Sequence, residues 1–191
     1  FTDENGNALS VGAYSSPVIF DINGDGKGEI VTGAEDGIIR AYKSLKNEKN
    51  PNSMAFSYIG DVINTGLTDS MISCGHLNGD NIMDIAVGSR TGEMRVYYGY
   101  TDDGKTTKYG DFVPVETNES WVSPCIHNGK LYSGTLEGYV ATYNLVDGVY
   151  KKGEYLEADT NSRRGDKRIT LGMNSVPRFY DIDGDGDDDL I

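Results

Sequence analysis

The stretch Asp21-Ile22-Asn23-Gly24-Asp25-Gly26-Lys27-Gly28-Glu29, followed at once by Ile30-Val31-Thr32-Gly33, sets the terms for the rest of the chain. Side-chain oxygens at its first, third, fifth and ninth positions can converge on one hard cation, with the Lys27 carbonyl as a further ligand. Its glycines permit the tight wrap that such a ligand set needs. The residue types and their spacing read as a calcium loop.

An EF-hand loop starts the same way, but it closes with a bidentate Glu at the twelfth position and sits between two amphipathic helices. Here the twelfth residue is Thr32, and the flanks Pro17-Val18-Ile19-Phe20 and Ile30-Val31-Thr32 are short, apolar and rich in β-branched residues. The loop is therefore expected to join two strands.

The same grammar recurs. Ser16-Pro17-Val18-Ile19-Phe20-Asp21 returns as Val176-Pro177-Arg178-Phe179-Tyr180-Asp181, and weaker copies stand at Met71 to His76 and Ser123 to Asn128. With Pro17, Ile72, Pro124 and Pro177 as equivalents, the intervals are 55 (72 − 17), 52 (124 − 72) and 53 (177 − 124). Each unit continues with an apolar strand ending in Gly, a residue-Gly turn and a strand ending in Tyr: Ile30 to Gly33, Asp36-Gly37 and Ile38 to Tyr42 in the first. The second has Ile85 to Gly88, Thr91-Gly92 and Met94 to Tyr97, and the third Leu131 to Gly134, Glu137-Gly138 and Tyr139 to Tyr143. Fourth strands are expected at Phe56 to Gly60, Asp111 to Val115 and Tyr150 to Glu157. Four short antiparallel strands per unit describe a propeller blade.

These residues resemble the FG-GAP/VCBS repeats, the calcium-loop blades also found in integrin α-subunit propellers. The resemblance spans nearly the whole chain and implies an all-β fold, a β-propeller of four-stranded antiparallel blades. The expected organisation is a single propeller segment over 1–191, with blades near 15–61, 70–116 and 122–158 and a partial one at 175–191. The chain starts near a fourth strand and stops inside a second one, and propellers need about four blades to close. The expectation is a piece of a larger propeller, or a ring completed by another chain.

By oxygen count and by the resemblance, the first calcium site is Asp21, Asn23, Asp25, the Lys27 carbonyl and Glu29. The last is Asp181, Asp183, Asp185, the Asp187 carbonyl and Asp189. Carboxylates gathered this closely repel one another unless a cation neutralises them. The second copy places His76 at the first position; Asn78, Asp80, the Ile82 carbonyl and Asp84 can still hold an ion with water filling the gap, or His76 can hydrogen-bond the loop instead. The third copy is cut to Asn128-Gly129-Lys130 and is expected to hold no calcium. The metal's expected role is structural, and dissociation constants of about 10⁻⁴–10⁻³ M in extracellular modules suit permanent occupancy outside cells.

In an up-and-down meander the 1–2 and 3–4 loops emerge on one face, and the 2–3 and 4–1 loops on the other. The calcium loops mark the first face. Partner sites in integrin-like propellers lie on the second, which here carries Tyr14, Arg90, Trp121 and the stretch from 160 to 173. Tyr14 and Trp121 hold equivalent positions and can grip a sugar or peptide, or pack between blades. Arg163-Arg164-Gly165-Asp166 opens the one basic cluster and contains Arg-Gly-Asp, read either as a solvated loop or as a partner contact. Cys74 and Cys125 lie on first strands of adjacent units with opposite parity, which allows either one shared interface and a disulfide or two separate buried thiols.

The bulk numbers narrow the classes. A net charge of −13 argues against nonspecific binding to nucleic acid or anionic membrane. Twenty-five glycines and thirteen tyrosines fit many short strands and tight turns. The sequence has no run of about 18 apolar residues, the length a helix needs to span a bilayer. His76 and His127, the only histidines, sit in a loop position and a shortened turn, without a nucleophile elbow or zinc spacing. The functional expectation is an extracellular calcium-binding module for protein or glycan; the alternatives are an accessory part of a carbohydrate-active enzyme and a purely structural module.

Overall fold

A computed structural model describes residues 1–45, 54–158, 167–170 and 172–191, and among them there are strands and no helix. The fold is all-β. The strands β1 (Ser16–Phe20), β2 (Glu29–Gly33), β3 (Ile38–Leu45) and β4 (Ala55–Asn64) form an antiparallel sheet in chain order. A second meander follows in β5 (Met71–Gly75), β6 (Asp84–Gly88), β7 (Met94–Tyr100) and β8 (Lys108–Glu116), and a third in β9 (Val122–His127), β10 (Lys130–Thr135), β11 (Val140–Val146) and β12 (Val149–Tyr155). The short pair β13 (Phe179–Tyr180) and β14 (Asp189–Leu190) ends the order.

The second and third meanders share a sheet of eight strands, because β8 and β12 meet in parallel at Val115–Tyr150 and Glu116–Lys151. At the opposite margin the Ile126 N–H donates to Ser73 Oγ at 2.9 Å, bringing β9 against β5. The sheet is thus nearly closed and barrel-like.

Side-chain alternation places the core. Ile85, Val87 and Tyr97 of the second meander pack with Phe20, Val31 and Ile39 of the first, while Ala86, Met94 and Val96 pack with Val122, Leu131 and Tyr143 of the third. Successive residues of a strand point to opposite faces, so a sheet sandwiched between two others must be apolar on both. All five residues of β6 are accordingly buried, and so are those of β2, an interior strand of the first meander. The third meander's other face packs Cys125, Tyr132 and Val140 against Phe179 and Leu190.

Neighbouring meanders lock through one contact set used three times. The backbone N–H groups of Ser70, Val122 and Ser175 donate to the carbonyls of Ala34, Ser89 and Thr135 at 3.0, 3.2 and 3.2 Å. Each donor lies two residues before Ile72, Pro124 or Pro177. The same residues' carbonyls press on Gly33, Gly88 and Gly134, where a Cβ would lie 2.4, 2.5 and 1.8 Å from the oxygen. The turn glycines four residues on, Gly37, Gly92 and Gly138, face the carbonyls of Leu67, Glu119 and Gly172 in the same way. The Gly-x-x-x-Gly spacing therefore serves close approach between sheets as well as turn geometry. Thr65 and Thr117 add hydroxyl bonds to the Gly37 and Gly92 carbonyls at 2.7 and 2.6 Å.

The strands depart from expectation mainly at their ends. β8 begins at Lys108 rather than Asp111 and β4 runs on to Asn64, because long hairpin arms carry the pairing past the apolar stretch. Tyr139 lies outside β11 and makes only an isolated bridge with Thr170. Both cysteines are free thiols, and they point apart: Cys74 packs with the cluster between the first two meanders, Cys125 with the one beside β13. Burial pushes both thiols above their ordinary range.

Candidate metal loops and the opposing face

The loop from Asp21 to Glu29 joins β1 to β2 and is organised around its own carboxylates. Asp21 accepts the N–H groups of Asp25 and Gly26 at 3.1 and 2.7 Å, Asn23 Oδ1 accepts Asp25 N–H at 2.9 Å, and Asp25 accepts Lys27 N–H at 2.9 Å. Glu29, 2% exposed, reaches back to the Ile22 N–H at 3.2 Å. The loop joining β13 to β14 repeats this: Asp181 accepts Gly184 and Gly186, Asp183 accepts Asp185, Asp185 accepts Asp187, and Asp189 takes the Ile182 N–H at 3.2 Å.

Carboxylate oxygens of Asp181, Asp183 and Asp189 lie within 4.8 Å of one another. Such hard oxygen donors suit Ca²⁺ or Mg²⁺ rather than a softer metal.

Electrostatics differ along the loop. Burial pushes the Glu29 carboxyl up, and the charges of Asp25 and Asp21 push it further. Partial desolvation acts the same way on Asp21, but N–H bonds from Gly26, Gly24, Asp25 and Asn23 outweigh it and hold that carboxyl below its ordinary value.

In the second loop Asp84 is fully buried and accepts the N–H groups of Leu77 and Gly99 at 2.7 and 2.9 Å. Burial first, and the Asp80 charge after it, push its carboxyl up. Asn78 and Asp80 bond each other at 2.8 Å, and Asp80 accepts the Ile82 N–H. His76 Nδ1 lies 3.0 Å from the Ile82 carbonyl, the oxygen expected as a metal ligand, so the ring N–H occupies it. The third connection is a two-residue hairpin: His127 pairs with Lys130, and Asn128 and Gly129 have φ of 46° and 72°. Positive φ at both central residues is the type I′ signature of Asn-Gly.

The opposite ends of the strands line a concavity of about 820 Å³, and the structure brings Tyr14, Arg90 and Trp121 together there. Arg90 lies over the Tyr14 ring at 4.5 Å and 3.9 Å from Asp69. Tyr14 therefore packs across meanders while staying 62% exposed. Arg163, Arg164 and Asp166 lie outside the described residues. Sequence reasoning passed over Arg178, which lines the same concavity. Its signal was a charge one residue after Pro177, where the other units have Val18, Ser73 and Cys125.

Compared with known proteins, no family model matches the chain and no curated protein matches it.

Proposed function

We propose that the chain is part of an extracellular, calcium-stabilised β-propeller of four-stranded blades that binds a protein or glycan on the face opposite its calcium loops. The observation that carries this reading is the convergence of Asp181, Asp183 and Asp189, together with the same hydrogen-bond pattern in the loop from Asp21 to Glu29. Buried Glu29, which has no ion-pair partner among the described residues, is a carboxylate that a bound cation would relieve.

Asp21, Asn23, Asp25 and Glu29 would hold one ion, and Asp181, Asp183, Asp185 and Asp189 another, with the Lys27 and Asp187 carbonyls as further donors. When bound, the metal supplies charge neutralisation and order to glycine-rich connections. The protein's own part is to fix the loop ends: the carboxylate at the ninth position pins the amide at the second, so each strand pair enters the loop in register. Exposed Ile19 on β1, Tyr180 on β13 and Ile182 just after it support further blades packing at either side.

Isothermal titration of metal-stripped protein with Ca²⁺ tests the reading. Two sites with dissociation constants of about 10⁻⁴–10⁻³ M are expected, one of them lost in Asp181→Asn/Asp183→Asn. No heat, or a stoichiometry the double substitution leaves unchanged, overturns it.

A further inference from the structure

The described arginines sort by their partners. Arg40 lies 2.5 Å from Asp36, Arg90 3.9 Å from Asp69, and Arg95 3.5 Å from Glu93, while Arg168 stacks on Tyr139. Arg178 has no carboxylate within 4.0 Å among the described residues, although the chain carries 30 acidic residues against 17 basic. It is half-buried, and only its Nη1 is engaged, donating to the Pro177 and Pro124 carbonyls at 2.7 and 3.4 Å. A guanidinium offers five N–H donors in a planar fork that matches a carboxylate. Withdrawing such a charge from water without a counter-ion is unfavourable.

Those two backbone bonds fix Arg178 at the wall of the 820 Å³ concavity. Asp69, the carboxylate lining the same space, is already engaged by Arg90. Around them stand Trp121 and the short polar side chains of Ser15, Ser120 and Asn174. The indole offers an apolar face to a ring, and the hydroxyl and amide groups suit a ligand rich in hydroxyls.

We propose that this concavity binds an acidic carbohydrate, Arg178 pairing with a uronate carboxylate while Trp121 stacks on the sugar ring. The inference rests on the reading that this face binds a partner and narrows that partner to one chemical class. The sugar is favoured over an acidic peptide because the lining's other cation, Arg90, already faces Asp69, and the rest of the lining beside Arg178 is an indole and small hydroxyl groups.

The test titrates folded, calcium-loaded protein with tri-galacturonate, with neutral galactotriose and tri-glutamate as comparisons. Tri-galacturonate is expected to bind and the other two not. Arg178→Gln and Trp121→Ala should each weaken binding at least tenfold at unchanged melting temperature. If Arg178→Gln fails to fold, Arg178→Lys and Trp121→Phe take its place, with at least a threefold loss expected from each. Equal binding of galactotriose, preference for tri-glutamate, unaltered binding in the variants, or no binding by folded protein each overturns the proposal. Repeating the titration in EDTA, below the melting temperature, separates the two readings. Binding that persists there, alongside a melting temperature insensitive to calcium, would sink the calcium reading and leave this one standing. Capture that requires free Ca²⁺ and ignores Arg178 would sink this one alone.

Discussion

Gly134→Ala is the sharpest probe of how the meanders lock. A Cβ at Gly134 would lie 1.8 Å from the Ser175 carbonyl oxygen and 2.6 Å from its carbon, whereas ordinary contact begins near 3.4 Å. The two segments would have to part by about 1.6 Å, and a gap of 0.5–1 Å already forfeits a quarter to a half of the dispersion attraction. The obstacle is backbone, which cannot rotate away. It also carries the Ser175 N–H bond to Thr135 and the Ser175 Oγ bond to the Tyr139 carbonyl at 2.9 Å. Overpacking costs typically about 1–3 kcal/mol, and with two hydrogen bonds strained as well we expect about 3 kcal/mol. Gly148→Ala is the matched control: it imposes a positive φ of 79° on alanine but meets nothing within 4 Å. Its cost should be only the left-handed strain of about 1 kcal/mol. At about 2–4 °C per kcal/mol for a chain of this size, Gly134→Ala should melt some 4–8 °C below Gly148→Ala by circular dichroism. Indistinguishable melting temperatures would refute the reasoning that these glycines serve close approach.

Other outcomes follow from the loops. Glu29 and Asp84 have raised carboxyl pKa values, so the folded state holds protons the unfolded chain has released. Metal-free protein should therefore lose stability as pH rises from about 4 through those raised values, and calcium in the first loop should abolish the Glu29 part of the loss, as chemical denaturation at a series of pH values would reveal. His76→Asp restores an oxygen at the first position of the second loop and frees the Ile82 carbonyl, so native mass spectrometry should count one more bound calcium than in the parent. Glu119→Gln leaves the mostly buried Lys152 ammonium without its carboxylate and is expected to cost about 2 kcal/mol, read as a shift in denaturation midpoint. Asp103, held at about 2 by N–H bonds from Thr106 and Lys105 and the Thr101 hydroxyl, contributes stability above the ordinary carboxyl range that is lost as pH falls through 2; its NMR titration should show that midpoint.

The strands were legible because their residues carry two signals at once. Ile30-Val31-Thr32-Gly33 and Ile85-Ala86-Val87-Gly88 are short, apolar throughout and bounded by glycine, as strands covered on both faces must be. The Asn128-Gly129 turn was equally plain, since few dipeptides tolerate two positive φ values. The purpose of Gly33 and Gly37 was not legible, because the carbonyls they admit belong to Ser70 and Leu67, thirty or more positions further on. Periodicity located the cysteines on first strands, but only the packing showed which clusters they join. His76 looked like a defective ligand; its bond to Ile82 needs the loop's closed shape to be seen. Arg178 was overlooked because the unit pattern at that position is neutral, and a departure in one copy acquires meaning only when no acid is found beside it.

The central claim is that cations hold these acidic loops, and melting temperature in calcium against EDTA tests it most directly. At 10 mM Ca²⁺, dissociation constants of about 10⁻⁴–10⁻³ M stabilise by about 1.4–2.7 kcal/mol per site. Two sites should therefore raise the melting temperature by roughly 6–20 °C, and Mg²⁺, with its stricter octahedral demand, should raise it less. A melting temperature the same in calcium as in EDTA would contradict the account.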